Sequence, residues 1–221
     1  MGELFADYNI LGAFGMTILL TICSAIGALV IGTVVAILRI SPVALFQKVG
    51  AFYVNTVRNT PLTLIIIACN IVMIVNLGLN LSSDLARNNI LWAIVGLSVY
   101  HAAFVCEALR SGVNTVPVGQ AEAARSVGLT FGQSLREVLL PQAFRGAITP
   151  LGNTLIALTK NTTVATAIGV AEISGLMKEM QEFRPDLILW IFLIVAVGFV
   201  ILTLPVGLLT TYLSNRLAVK R

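Results

Sequence analysis

Charged residues and cysteines are both scarce in this sequence. Asp, Glu, Lys and Arg make up 11% of its 221 residues, whereas a soluble domain carries about 25%. The three cysteines, Cys23, Cys69 and Cys106, lie inside apolar stretches, and none has the spacing of a metal or redox pair. These shortages exclude an ordinary soluble domain and argue against a metal or disulfide scaffold. The composition, which is 57% hydrophobic, indicates an integral membrane protein.

The sequence also lacks the motifs of the common catalytic chemistries. It contains no Walker A motif, no glycine-rich dinucleotide motif opening a helix, no HExxH and no Cys/His metal spacing. Its net charge of +4 is small and dispersed, so nothing favours nucleic acid as a partner. We therefore expect no catalytic residue, no metal and no cofactor in this chain. If ATP drives its activity, a separate chain must bind and hydrolyse the ATP.

In place of charge, the sequence has five long apolar stretches with few charged residues. About 20 apolar residues cross the hydrocarbon core as a helix, and these stretches reach or approach that length. We predict an all-α polytopic membrane protein, with residues 1–221 forming one transmembrane domain. The five transmembrane helices are expected at about residues 13–38, 61–77, 90–110, 142–170 and 187–213.

Basic residues concentrate in alternate loops. The first predicted loop contains Arg39, Lys48 and Arg58 and no acidic residue, whereas residues 172–186 have an acidic excess. Since loops rich in Lys and Arg stay in the cytoplasm, the N-terminus is predicted outside and the C-terminus inside. The remaining basic residues of the predicted cytoplasmic side are Arg110, Arg125, Arg136, Arg145, Arg216, Lys220 and Arg221.

The longest polar interval, residues 115–141, is a predicted cytoplasmic loop with helical structure. Ala121–Val127 has good helix propensity. Gly128 can adopt the left-handed conformation that ends such a helix. The spacing alone leaves two interpretations open. The segment is either a rigid lever held between two membrane spans or an ordinary loop that happens to be helical.

A second short helix is predicted to follow this turn. Thr130 and Gln133 have the spacing of a capping box, which opens a helix. Pro141 is expected to stop or kink the helix, because proline lacks the N–H group and disfavours helix at the preceding residue.

Glu122-Ala123-Ala124, with Gly128 after them and Leu140-Pro141 further on, resembles the EAA loop of the permease subunits of ABC importers. In that family the loop forms coupling helices, which sit in a cleft of the cytoplasmic ATPase and pass its closure to the membrane domain. The resemblance therefore implies that ABC ATPase subunits dock here. The residues that it assigns to coupling are Glu122, Ala123, Ala124, Gly128 and Leu129.

Three further stretches, residues 58–62, 107–112 and 153–163, resemble the polar amino-acid branch of the family. Within that branch the sequence is most similar to glutamate-uptake permeases. The resemblance implies the type I ABC importer permease fold in the plasma membrane of a prokaryote. It also implies a second permease chain, related but not identical, and an extracytoplasmic solute-binding protein. Where the branch has Asp-Thr-Ser after a lysine, this chain has Asn161-Thr162-Thr163 and so lacks the carboxylate.

Polar side chains interrupt the fourth predicted helix. A polar group at membrane depth must face protein or water rather than lipid. Lys160 either attracts an acidic substrate, or pairs with Glu107 or a helix-end carbonyl, or snorkels. The neighbouring amides and hydroxyls either bind a polar solute or hold helices together. The residues predicted for the substrate pathway are Lys160, Asn161, Thr162, Thr163, Asn153 and Glu107.

Three other ionisable groups have structural interpretations. Glu107 and Arg110, three residues apart, are expected to pair at the inner end of the third helix. Arg58 is expected to mark the inner end of the second helix by snorkelling. His101, the only histidine, is expected to be neutral and bonded to a neighbour, with a proton relay as the less favoured alternative.

The sequence thus predicts the transmembrane subunit of an ATP-driven importer for a polar amino acid. Through the resemblance, glutamate is favoured over glutamine, aspartate or a basic amino acid. A self-contained secondary transporter or channel is the main alternative, although no inverted repeat is visible. A membrane anchor or assembly factor is a third interpretation, but it leaves the polar cluster at Lys160 without a use.

Overall fold

The computed structural model describes residues 2–217, and this part of the chain is almost entirely helical, without a strand. The all-α prediction is therefore confirmed. Lys220 and Arg221, which are predicted to be cytoplasmic, lie outside the described residues. The α-helices are α1 (Gly2–Asp7), α2 (Ile10–Ile40), α3 (Ala44–Arg58), α4 (Leu62–Ala68), α5 (Leu85–Val113), α6 (Val118–Ser126), α7 (Phe131–Ser134), α8 (Leu140–Gly146), α9 (Ile148–Asn161), α10 (Ile173–Phe183) and α11 (Ile188–Leu217). Two π-helical segments, Cys69–Asn76 and Leu135–Leu139, and two 3-10 segments, Thr162–Ile168 and Pro185–Leu187, connect them.

Between residues 2 and 217, three helices are long and apolar enough to cross a membrane: α2, α5 and the helix from Pro185 to Leu217. A further candidate span consists of α3 and Leu62–Asn76, whose axes are bent by 101°. The fourth predicted span, residues 142–170, is not one continuous helix, because it is divided into α8, α9 and the 3-10 segment. The count of five transmembrane helices stays a prediction.

Prolines set the ends of the first helices. α2 ends at Ile40, shortly before Pro42, and the residue before a proline disfavours helix. Pro61 is the N-cap of α4 with a ψ of 134°, so it interrupts the helical path that follows α3. The interval from Arg39 to Arg58, expected to be a short loop, is therefore largely helical, and the bend lies at its far end.

The centre of the molecule is the packing of α2 against α5. A Cβ added at Gly32 would lie 2.6 Å from Val105 Cβ and 2.7 Å from the Ala102 carbonyl oxygen. Ala36 and Ala103 are almost fully buried in the same cluster. Small residues allow this close approach, which is the usual way for membrane helices to pack.

α11 has a different character, because much of its apolar surface is exposed. Trp190, Val197, Leu204 and Leu208 are all at least 45% exposed, and only 11% of its most apolar stretch is buried. Such a surface suits lipid or another membrane chain. Buried polar side chains are instead most numerous on α2 and α5.

Candidate coupling loop and polar transmembrane site

The loop at residues 115–141 has the local structure that its sequence predicts. α6 ends in a Schellman motif: the Leu129 amide donates to the Ala124 carbonyl at 3.1 Å, and the Gly128 amide donates to the Arg125 carbonyl at 2.9 Å. Gly128 has a φ of +85°, a conformation that glycine adopts without strain. No atom lies within 4 Å of a Cβ added there. The backbone conformation, rather than limited space, therefore requires glycine.

The predicted capping box is also present. The Thr130 amide donates to Gln133 Oε1 at 2.9 Å, and the Gln133 amide donates to Thr130 Oγ1 at 3.4 Å. The helical path does not stop at Pro141, however, because the π segment Leu135–Leu139 leads directly into α8, and a kink there stays a prediction. Pro141 lies in the first turn of α8, where a missing N–H group costs little.

The structure distributes the residues assigned to coupling between surface and interior. Glu122, Ala123 and Gly128 are exposed, Leu129 is partly exposed and Ala124 is 4% exposed. Ala124 faces into the loop itself, so only one of the two alanines offers the shallow surface that the sequence suggested. Val118 and Val127, which are 74% and 77% exposed, were not predicted. Apolar side chains on an otherwise polar loop are the signal that could have identified them.

α8, which follows the loop, packs against the C-terminal end of α5. The two main chains approach each other closely there. A Cβ added at Gly112 would collide with the carbonyl oxygen of Ala143. A Cβ added at Gly146 would collide with Thr115 Oγ1, whose hydroxyl donates to the Gly112 carbonyl at 2.7 Å. α5 and α8 therefore touch with few side chains between them.

A network of arginines surrounds Glu107 at the inner end of α5. Arg110 Nε and Nη2 donate to Glu107 Oε2 at 3.3 and 2.9 Å, which confirms the predicted pair. Arg39 Nη1 donates to Glu107 Oε1, and Arg58 Nη1 lies 3.9 Å from the same oxygen. Arg39 and Arg58 were not predicted as partners, because they come from α2 and α3, and no local sequence signal connects them with α5.

The polar residues of the fourth predicted span point in several directions. Lys160 is exposed and forms no ion pair within residues 2–217, so its suggested pairing with Glu107 is not observed. Asn153 is exposed on the same face of α9, seven residues earlier, and Thr163 is partly exposed. Thr162 is fully buried and donates to the Thr159 carbonyl at 2.9 Å.

Asn161 is oriented by His101. His101 Nδ1 lies 3.0 Å from the Leu97 carbonyl oxygen, and His101 Nε2 lies 3.2 Å from Asn161 Nδ2. A carbonyl oxygen only accepts, so Nδ1 must carry the proton and donate, and Nε2 of the neutral ring accepts from the Asn161 amide. The expectation of a neutral, bonded imidazole is confirmed by this geometry. Among the described residues, no group donates a hydrogen bond to the side-chain carbonyl oxygen of Asn161.

Two acidic residues, Glu172 and Asp186, accept hydrogen bonds on either side of α10. Glu172 is fully buried and caps α10, where its carboxylate accepts hydrogen bonds from the Thr166 hydroxyl and the Ser174 amide. Burial raises the pKa of the Glu172 carboxyl, against these hydrogen bonds. The exposed Asp186 accepts a hydrogen bond from Arg184, which lowers the pKa of its carboxyl. The Glu172 bonds thus join the 3-10 segment Thr162–Ile168 to α10, and the Arg184–Asp186 bond lies between α10 and α11.

Long apolar helices, internal charged groups and an exposed helical loop together define a polytopic membrane subunit. Residues 28–219 match the family described as the binding-protein-dependent transport system inner membrane component. The chain therefore belongs to this family and is a membrane permease subunit of an ABC importer. As a permease subunit, it transports rather than catalyses.

The comparisons with individual proteins agree with this family. The chain is 53% identical to the glutamate transport system permease protein GluC of Corynebacterium glutamicum, and each chain is covered completely. It is 33% identical to the probable glutamine ABC transporter permease protein GlnM of Bacillus subtilis, covering 97% of this chain and 96% of the relative. A crystal structure of an amino acid ABC transporter with histidines has the same fold, with a TM-score of 0.77, 24% identity, and 94% and 93% coverage.

Proposed function

We propose that this chain is one of two permease subunits of an ATP-driven importer for glutamate. The observation that carries the substrate assignment is the 53% identity over the full length to a glutamate permease. The exposed lysine of α9 and the arginines around Glu107 support it, because they give this part of the subunit more positive than negative charge. Glutamate carries a net negative charge at neutral pH, so this excess of positive charge favours its entry.

In this proposal, the loop from Val118 to Ser134 docks in a separate ATPase. Glu122, Ala123 and Gly128 form the exposed contact surface, with Leu129 at its edge and Val118 and Val127 as apolar contacts. Ala124 and the Schellman motif hold the loop in shape. Closure of the ATPase pushes on α6, and the contact of Gly112 with Ala143 carries the movement into α5. ATP is bound by the partner, and no cofactor is assigned to this chain.

The solute passes along the face of α9 that carries Asn153 and Lys160. Lys160 supplies the positive charge, and Asn161 and Thr163 supply hydrogen-bonding groups beside it. Thr162 is left out of the pathway because it is buried and bonded within its own helix. Glu107 acts from the interior as the shared partner of the arginines rather than as a direct ligand.

The remaining parts of the assembly follow from the family. We assign a second permease chain, related but not identical, to the exposed apolar surface, and an extracytoplasmic solute-binding protein to the side of α10. The N-terminus is outside and the C-terminus is cytoplasmic, in the plasma membrane of a prokaryote. This orientation puts the EAA loop on the side where ATP is available.

The test is uptake of radiolabelled glutamate into proteoliposomes that contain the chain with its partner permease and ATPase. Uptake should require the binding protein outside and ATP inside, and unlabelled glutamate should compete better than glutamine or aspartate. If uptake persists without ATP but collapses with the ion gradient, the chain is a secondary transporter. If another amino acid competes far better than glutamate, the substrate assignment is wrong.

A further inference from the structure

The network at Glu107 has more positive than negative charge. Three guanidinium groups, those of Arg39, Arg58 and Arg110, share one carboxylate. Within residues 2–217, no other acidic side chain forms an ion pair with any of them. Charged groups inside a membrane domain almost always have a partner of opposite sign. The cluster therefore has an excess of cationic groups for which this chain supplies no anion.

The geometry identifies Arg58 as the group in excess. Both oxygens of Glu107 already accept hydrogen bonds, one from Arg39 and one from Arg110. The 3.9 Å between Arg58 Nη1 and Glu107 Oε1 is too long for a hydrogen bond. The described residues accept no hydrogen bond from the Arg58 guanidinium, and its side chain is 46% exposed.

Arg58 is nevertheless held in place against α5. Its guanidinium carbon lies 5.5 Å from the centre of the Phe104 ring, a cation–π distance. Phe104 is nine residues before the end of α5, about 14 Å from that end at the rise of a helix. The exposed half of Arg58 must therefore face water or protein rather than lipid. Stacking on a ring leaves the edge of the guanidinium, with its N–H groups, directed outward.

The same ring connects Arg58 with the polar segment of α9. The His101 ring centre lies 6.2 Å from that of Phe104, and His101 orients Asn161. Phe104 and His101 thus form a run of neighbouring rings that leads from Arg58 to Asn161.

We propose that Arg58 is a solute-binding residue that takes a carboxylate of the transported amino acid in a two-point hydrogen-bonded contact. A planar guanidinium with free N–H groups matches a carboxylate in geometry and charge. This assignment deepens the proposed function and depends on it. It replaces the interpretation of Arg58 as a snorkelling residue at a helix end, because the side chain contacts an aromatic ring of α5.

The experiment measures equilibrium binding of radiolabelled glutamate to the purified permease pair and ATPase without the binding protein. Arg58→Gln should weaken binding roughly ten- to hundredfold, the usual loss for hydrogen bonds to a charged group. Arg58→Lys should recover part of the loss, because charge remains without the planar fork. Arg87→Gln, which removes the same charge from the exposed start of α5, should bind like wild type. Binding is expressed per folded, monodisperse complex, so a merely structural defect does not mimic the result.

Amide analogues identify the bound carboxylate. Glutamine lacks the side-chain carboxylate, and the α-amide of glutamate lacks the other one. For the wild-type protein, one of these two amides should compete with glutamate much less well than the other. In Arg58→Gln, the two amides should compete equally well. If both amides compete as well as glutamate, no carboxylate is bound there and the proposal is wrong.

Transport separates this proposal from the function on which it depends. With the binding protein present, Arg58→Gln should carry fewer glutamate molecules per ATP hydrolysed. If wild type imports no glutamate, the proposed function fails. If wild type imports glutamate but Arg58→Gln equals it in binding and in transport per ATP, only the Arg58 assignment fails. The Arg58 assignment also fails if Arg58→Gln loses bound anionic phospholipid, measured by mass spectrometry, but binds glutamate as wild type does.

Discussion

The loop at residues 115–141 and the network at Glu107 are built in opposite ways. The loop is shaped by hydrogen bonds between near neighbours, such as Thr130 with Gln133. The network is made by contacts between residues far apart in sequence, with 68 positions separating Arg39 from Glu107. The loop can therefore keep its shape while it moves as a unit. The network, in contrast, keeps three membrane helices in one arrangement.

This difference assigns separate tasks to the two regions. An element that is locally stable and exposed is suited to bind another protein. A network that crosses helices stabilises the membrane domain and determines which charges face its interior. The two regions meet where Gly112 contacts Ala143. Substitutions in the network should therefore lower the stability of the whole chain, and substitutions in the loop should affect partner binding with little loss of stability.

The largest effect is expected for Glu107→Gln. The substitution leaves three guanidinium groups without a carboxylate, and the free energy of unfolding should fall by about 2–3 kcal/mol. This is less than the loss for a fully buried pair, because the Glu107 side chain is 24% exposed. Thermal unfolding in detergent measures the change. Glu179→Gln on the exposed face of α10 is the control, and equal stability of the two variants would show that the network contributes little.

Gly112→Ala tests the junction between the two regions. The added methyl group would collide with the Ala143 carbonyl oxygen, so α5 and α8 must separate. We expect a loss of about 1–3 kcal/mol, as for overpacking, together with lower transport per ATP. Gly119→Ala in α6 has open space around the new Cβ and should be neutral or slightly stabilising. The junction is not a tight contact if both variants behave alike.

A double-mutant cycle of His101→Leu and Asn161→Leu tests the contact between α5 and α9. The hydrogen bond between the two side chains spans 60 positions, and its coupling energy should be about 1 kcal/mol. Chemical unfolding of the wild type, the two single variants and the double variant gives this value. Additive losses would mean that the two residues do not interact in the folded protein.

The smallest effect is expected for Thr130→Ala, which removes the capping box. The local cost is about 0.5–1 kcal/mol, and it should be confined to α7. Faster hydrogen exchange at the Gln133 and Ser134 amides, without a change in the unfolding temperature, is the expected result. Thr211→Ala in α11 is the control and should leave these amides unchanged. A lower unfolding temperature in Thr130→Ala would mean that the loop is part of the global fold.

The sequence predicted most of the loop and little of the network, for the same physical reason. Gly128 and the pair Thr130–Gln133 carry their conformational preferences within a few residues, so a single sequence reveals them. The pairing of Arg39 with Glu107 depends on how α2 and α5 pack, which no local pattern specifies. The same holds for Arg58, whose position on Phe104 depends on the bend after α3.

The errors within the loop and the spans have local causes. Pro141 was expected to stop or kink the helix, and the stop is not observed because the first turn of α8 tolerates proline after the π segment. Ala124 was grouped with Ala123 by motif, although neighbouring helical residues point in different directions. The amphipathic interval from Arg39 to Arg58 was predicted as a loop, and the structure forms α3 within it.

The most direct test of the central claim is the binding of the ATPase to the permease pair in three matched variants. Gly128→Ala and Gly132→Ala both add a methyl group to open space, but only Gly128 has a positive φ. Glu122→Lys reverses a charge on the exposed surface without changing the turn.

If the loop is the docking element, Gly132→Ala should bind like wild type, and Gly128→Ala should bind about five- to thirtyfold more weakly, as the strain of a left-handed residue requires. Glu122→Lys should also weaken binding at unchanged stability. If Gly128→Ala and Glu122→Lys both bind the ATPase with wild-type affinity, the loop is not the docking element.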